Sequence, residues 1–243
     1  VVKQERQTSS YLLLLDAGNS LFGDRSLGQQ TQGKGVVEAM NLLGYDAMAL
    51  GGEDMRLGLD TLRQRMAEAK FPFLSANVVL SGTETLLTEP YIIKEMGDHR
   101  LAIIGLTEPQ AADAVQGDVV VLNPIETARR YVAEVSPKAS LIIVLSHIGV
   151  EENLKLAEEV EGIDLIVSGT GQIFLGQAVQ NETTGTLIVQ AEMPSPGHAG
   201  RTIGVARLQI DGQGRIKSHQ WTAVSLTPDF TDDPEMRTLL SRY

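Results

Sequence analysis

Apolar residues come in short unbroken runs rather than in alternation, and the runs end on small, glycine-bearing loops. Four of these are the clearest: residues 12–20 (LLLLDAGNS), 46–54 (DAMALGGED), 141–149 (LIIVLSHIG) and 164–172 (DLIVSGTGQ). A run with no polar alternation predicts a strand covered on both faces. Residues 11–16, 46–50, 141–145 and 163–167 are therefore predicted to be buried strands. Between them the period lengthens to three and four. Residues 33–43 predict a helix that Gly44 stops. Residues 58–69 predict another, with Leu59, Leu62 and Met66 on one face. Residues 123–135 open with Asn123-Pro124, suited to an N-cap and first turn. Residues 151–160 carry early acids that suit the positive end of a helix dipole. Residues 91–95 and 101–106 flank Gly97-Asp98 as a hairpin, and 71–78 is extended. From 187 onward the pattern is strand again: 187–191, 202–210 and 216–224, the last two joined by a turn at 211–214. Residues 1–7 read as the tail of a helix entered midway, so the natural chain is expected to begin upstream.

Strand and helix alternate over the first two thirds, and strand dominates the last third. That order predicts an α/β fold. No internal repeat, low-complexity tract or Pro/Ser-rich linker divides residues 1–243, which read as one domain. Loops at strand ends are where open α/β sheets hold their ligands, so the four loops mark the candidate site.

The same segments resemble the metallophosphatase domain of the 5′-nucleotidase family, the calcineurin-like phosphoesterases. The resemblance also takes in 71–78 (FPFLSANV), 91–107 (YIIKEMGDHRLAIIGLT), 187–192 (LIVQAE) and 200–210 (GRTIGVARLQI), in order along nearly the whole chain. It implies a four-layer α-β-β-α sandwich of two mixed sheets. It also implies a two-metal site built from five motifs, and here most of those motifs are altered. No Asp-x-His occurs; a segment upstream of Val1 could hold it, or a further substitution of it, together with a secretion signal. Gly-Asp reads Gly18-Asn19. Gly-Asn-His-Glu reads Gly51-Gly52-Glu53-Asp54. Gly-His-x-His reads Gly169-Thr170-Gly171-Gln172. The histidine at a strand end is kept as His147.

His147 and Asn19 are thus the candidate metal ligands, and Glu53 and Asp54 the candidate catalytic groups. Gly52, Glu53, Thr170 and Gln172 are altered motif positions. Each has a structural alternative. His147 can be a buried or rim histidine satisfied by one hydrogen bond. Asn19 can take a backbone N–H, and Asp16 can tie down its own loop. Glu53 and Asp54 can be a pair of solvated acids. His198 can approach the rim from a surface loop, whereas His99 and His219 are expected to face solvent. Ser146 points away from its neighbour His147 along a strand and makes no triad with it. An amide does not bridge two cations as a carboxylate does, and glycine, threonine and glutamine are weak donors to such ions. The sequence therefore predicts a binding or structural module without a dinuclear site and without a cofactor. The competing expectation is a phosphoester hydrolase with rearranged ligands, using Mn, Mg, Ca or Zn.

Composition narrows the partners. The formal charge is −11 over 243 residues, which repels a nucleic acid polymer. A small phosphorylated ligand is the expected partner; the protein partner is left open. There is no cysteine, so disulfides and thiolate chemistry are excluded. No run reaches the roughly 18 apolar residues of a membrane span, and no signal peptide is visible. The resemblance implies a periplasmic or extracellular location.

Overall fold

A computed structural model describes residues 1–22, 27–171, 173–191 and 201–243. Along the chain run α1 (Val2–Thr8), β1 (Leu15–Asp16), α2 (Leu27–Gln30), α3 (Lys34–Leu43), β2 (Ala47–Ala49), α4 (Leu59–Glu68), β3 (Phe73–Leu74), β4 (Val78–Leu80), β5 (Tyr91–Met96) and β6 (His99–Thr107). There follow β7 (Val119–Val121), α5 (Pro124–Val135), β8 (Leu141–His147), α6 (Val150–Glu159), β9 (Leu165–Ser168), β10 (Val179–Gln180), β11 (Leu187–Val189), β12 (Thr202–Ile210), β13 (Ile216–Ser225) and α7 (Pro234–Leu240). Two 3₁₀ turns, Gly52–Met55 and Pro109–Val115, follow β2 and β6.

A mixed sheet in the order β10-β11-β9-β8-β6-β5 forms one layer. Its centre, β6-β8-β9-β11, is parallel, and antiparallel strands close both edges. β8 is buried along its whole length, as its unbroken apolar run requires. One face packs on α5 and α6 through Ala128, Val132, Leu156 and Ala157. The other meets a parallel β1-β2-β3 sheet through Ala47, Ala49, Leu74, Ile103 and Leu145. Beyond that sheet, α3 and α4 cover Met48 and Leu50 with Val37, Met40 and Leu62. Helix, sheet, sheet and helix thus stack in the order the resemblance implies. The second sheet is divided, however: β4-β7 and β12-β13 stand as separate two-stranded ladders.

Local chemistry explains the element ends. Asn123 Oδ1 accepts the Ile125 and Glu126 N–H groups at 3.0 Å, capping α5. Gly44 adopts φ 70° to end α3. One expectation needs correcting. The run at 11–16 forms only a two-residue strand, and that strand is half-buried rather than buried. Its apolar side chains border a cavity of about 3430 Å³ between the sheets, so no second layer closes over them. No described helix is long and apolar enough to cross a membrane.

Candidate functional site

The loops after β1, β2, β8 and β9 meet at one end of the sheets. Gly18 and Gly51 make the meeting possible. A Cβ on Gly18, which has φ +101°, would lie 2.9 Å from His147 Nδ1. One on Gly51 would lie 2.2 Å from Asn19 Oδ1 and 2.9 Å from His147 Cδ2. Backbone therefore packs directly on the imidazole.

His147 is 2% exposed. Its Nδ1 lies 2.7 Å from the Ala17 carbonyl oxygen. A carbonyl only accepts, so Nδ1 carries the proton and donates. Nε2 is then left with a lone pair, buried and without a partner among the described residues. Burial pulls the imidazole pKa down to about 4, against a smaller upward pull from the Ala17 bond. The ring is neutral at pH 7. Ser146 faces the other way, donating to Asn153 Oδ1 at 2.6 Å and tying β8 to α6.

Asn19 has φ 63° and sits beside the ring. Its Oδ1 accepts the Glu53 N–H at 2.8 Å, which joins two loops rather than capping its own turn. Asp54 corrects the picture of two solvated acids: it is fully buried. Its carboxylate accepts the N–H groups of Asn19 (2.8 Å), Leu21 (3.0 Å) and Gly51 (3.0 Å). Burial raises its pKa to about 7, opposed by those three bonds. Glu53 is exposed and pairs with Arg56 at 3.2 Å. Asp16 accepts from Gly18 N–H (2.9 Å) and Ser20 Oγ (2.7 Å), and burial raises its pKa. Gly52 is buried, and its N–H donates to Glu108 Oε1 at 3.0 Å. Thr170 is half-buried, and its carbonyl accepts from Ser168 Oγ at 3.3 Å. Gln172 and His198 lie outside the described residues. His99 and His219 are half-buried on β6 and β13.

Sequence reasoning passed over Glu108. Its other oxygen, Oε2, is buried without a partner, and burial raises its pKa to about 7. The signal was available, since Glu108 ends the apolar run of β6 just as the other loops end theirs.

A measurable consequence follows from that raised pKa. A carboxyl whose folded pKa lies near 7 and whose unfolded pKa lies near 4.5 stabilises the fold below 4.5, and that stability is lost as pH rises through 7. Glu108→Gln mimics the protonated form. The variant's stability should therefore gain on the parent's by up to about 1.4 kcal/mol per pH unit as pH rises from about 4.5 to 7, and the gain should hold level above, with the melting temperature following. Thermal melts across that range check it. A constant difference would contradict the assignment. Asp54 contributes in the same direction. His147 acts oppositely: its lowered pKa costs stability as pH falls from 6.5 toward 4.

Whether a metal pair fits can be judged from the lone pairs left over. Two divalent ions about 3.5–4 Å apart need several anionic or imidazole donors. Asp54 and Asp16 already accept five N–H or O–H groups between them. His147 Nε2 is free, but it is one donor. Among the described residues, no group of three or more His, Asp or Glu side chains is placed to hold a metal ion. This donor set does not fit a dinuclear metal centre.

Comparison with known proteins agrees with this fold. No family model matches the sequence. A snake venom 5′-nucleotidase from Gloydius brevicauda is 32% identical over 99% of this chain and 44% of its own length. The human 5′-nucleotidase is 27% identical over 100% of this chain and 45% of its own. Among solved structures, a 5′-nucleotidase precursor from Thermus thermophilus superposes with a TM-score of 0.83 at 28% identity, covering 99% of this chain and 51% of that one. The Bacillus subtilis calcineurin-like phosphoesterase YfkN gives 0.80 at 23% identity over 99% and 85%, a likeness of fold. The chain is a metallophosphatase domain of the 5′-nucleotidase family. It spans about half the length, or less, of the curated relatives compared here.

Proposed function

We propose that this single domain is a binding module on the metallophosphatase scaffold, working without a dinuclear metal site. One observation carries the reading: the two aspartates at the site, Asp16 and Asp54, are used up as hydrogen-bond acceptors for the site loops, Glu53 pairs with Arg56, and Glu108 keeps one oxygen for the Gly52 N–H. A carboxylate committed to three N–H groups has little left to offer a cation. Asn19, where a bridging acid would stand, is likewise committed to Glu53. The loops form a hydrogen-bonded rim around a cleft that can take a small ligand. The extracytoplasmic location implied by the resemblance belongs to the same proposal.

A second reading has its own support. The unpartnered lone pair of His147 suits coordination, and the relatives are named as nucleotidases and phosphoesterases. On that reading the domain hydrolyses phosphate esters with rearranged ligands, with Glu53 or Asp54 recruited by movement of the loops. Elemental analysis and a phosphoesterase assay with added Mn²⁺ separate the two. The binding module is expected to purify with well under one equivalent of transition metal and to show no turnover. One to two equivalents, with turnover that His147→Ala abolishes, would overturn it.

A further inference from the structure

The cleft bears two independent marks of the ligand it takes. The first is His147, which lines the cavity, is 2% exposed and presents an unpartnered acceptor at Nε2. The direction of its other bond is set by geometry, because the Ala17 oxygen can only receive a proton. A partner for Nε2 must therefore bring an O–H or N–H.

The second mark is the charge of the walls. Every described cation lining the cavity is already engaged. Lys3 pairs with Asp233 and Glu235, Arg207 with Glu5, and Arg237 with Asp232. Arg6 donates to the Leu43 and Gly44 carbonyls, and Arg56 is held by Glu53 and the Phe22 carbonyl. Asp16 and Glu53 stand on the same wall as the imidazole, and the chain carries −11 overall. Carboxylates around a metal pair are offset by its charge. Here Arg56 offsets Glu53, but among the described residues that line the cavity the acids outnumber the Lys and Arg side chains, so a phosphate dianion entering the cleft still meets net like charge. It also brings no proton to Nε2.

We infer that the cleft selects an uncharged, hydroxyl-bearing small molecule over its phosphate ester. This departs from the phosphorylated ligand expected from the sequence, and it rests on the binding-module reading above. The experiment compares ribose with ribose 5-phosphate and adenosine with AMP, by calorimetric titration of the intact chain in chelator-treated buffer. The imidazole is followed by ¹⁵N NMR. The unphosphorylated member of a binding pair should be at least tenfold tighter, with the gap shrinking as salt rises. Its addition should shift the His147 Nε2 resonance and leave Nδ1 nearly still. Tighter binding of the phosphorylated member overturns the inference and leaves the binding module standing. So does tight binding that leaves Nε2 unmoved. Absence of binding by all four at 10 mM overturns the inference as well. Stoichiometric metal with turnover in the assay described above removes the underlying reading instead.

Discussion

Asp54→Ala should be the most damaging single change at the site. The substitution leaves three backbone N–H groups, on Asn19, Leu21 and Gly51, without their acceptor. The side chain is fully buried, so water does not simply replace it. Each orphaned donor costs about 1–3 kcal/mol. The losses overlap, because the three donors share one acceptor group. A total of about 3–5 kcal/mol is expected, roughly 10 °C in melting temperature for a chain of this size. Asp54→Asn should fall between, since an amide keeps one acceptor oxygen but turns an N–H toward other N–H groups. Glu53→Ala is the control: Glu53 is exposed and its pair with Arg56 is a surface pair, so the melt should move by less than about 2 °C. Thermal melts of the three variants decide it. If the two alanine variants lose equally, Asp54 is not the brace that holds the Gly18 loop to the Gly51 loop.

That contrast between adjacent acids marks where sequence reading ran out. Glu53 and Asp54 look alike in the chain, and nothing in their spacing says that one is buried and the other free. The difference comes from the 3₁₀ turn Gly52–Met55, which rotates successive side chains by about 120° and sends Asp54 inward. Local features carried by pattern alone were legible. The buried run of β8, the Asn123 cap of α5 and the Gly44 stop of α3 all stand as their residues predicted. The short ladder β4-β7 was not visible, because Val119–Val121 is only three residues long and pairs with a strand forty residues earlier. Its register depends on tertiary contact rather than on periodicity. The run before β1 shows the opposite failure. Its apolarity promised a buried strand, but burial needs a neighbour on the second face, and here that face borders the cavity. At the site, the convergence of loops was readable from strand ends. What each carboxylate does there was not, because it turns on which N–H groups the folded loops present.

Gly169→Ala carries the second large effect, and it tests whether the altered motif still sets the geometry of the site. Gly169 follows β9 where a histidine motif would begin. A Cβ there would lie 2.2 Å from the Ala17 carbonyl oxygen and 2.9 Å from its carbon. Both are backbone atoms, so no flexible side chain can swing aside. The chain after β1 would have to move, and with it the oxygen that accepts the His147 Nδ1 proton. Overpacking of this kind costs about 1–3 kcal/mol, and loss of the Nδ1 bond adds about 1 more. The expected fall in melting temperature is roughly 5–10 °C. The variant should also free the tautomer: with Ala17 displaced, ¹⁵N NMR should show the His147 ring exchanging between Nδ1–H and Nε2–H forms, where the parent holds one. Gly212→Ala is the matched control, since a Cβ there meets nothing within 4 Å. A Gly169→Ala protein that melts like the control and keeps a single His147 tautomer would show that the loop yields without strain. The glycine would then be there for chain flexibility alone, and the imidazole would be held by something other than the Ala17 carbonyl.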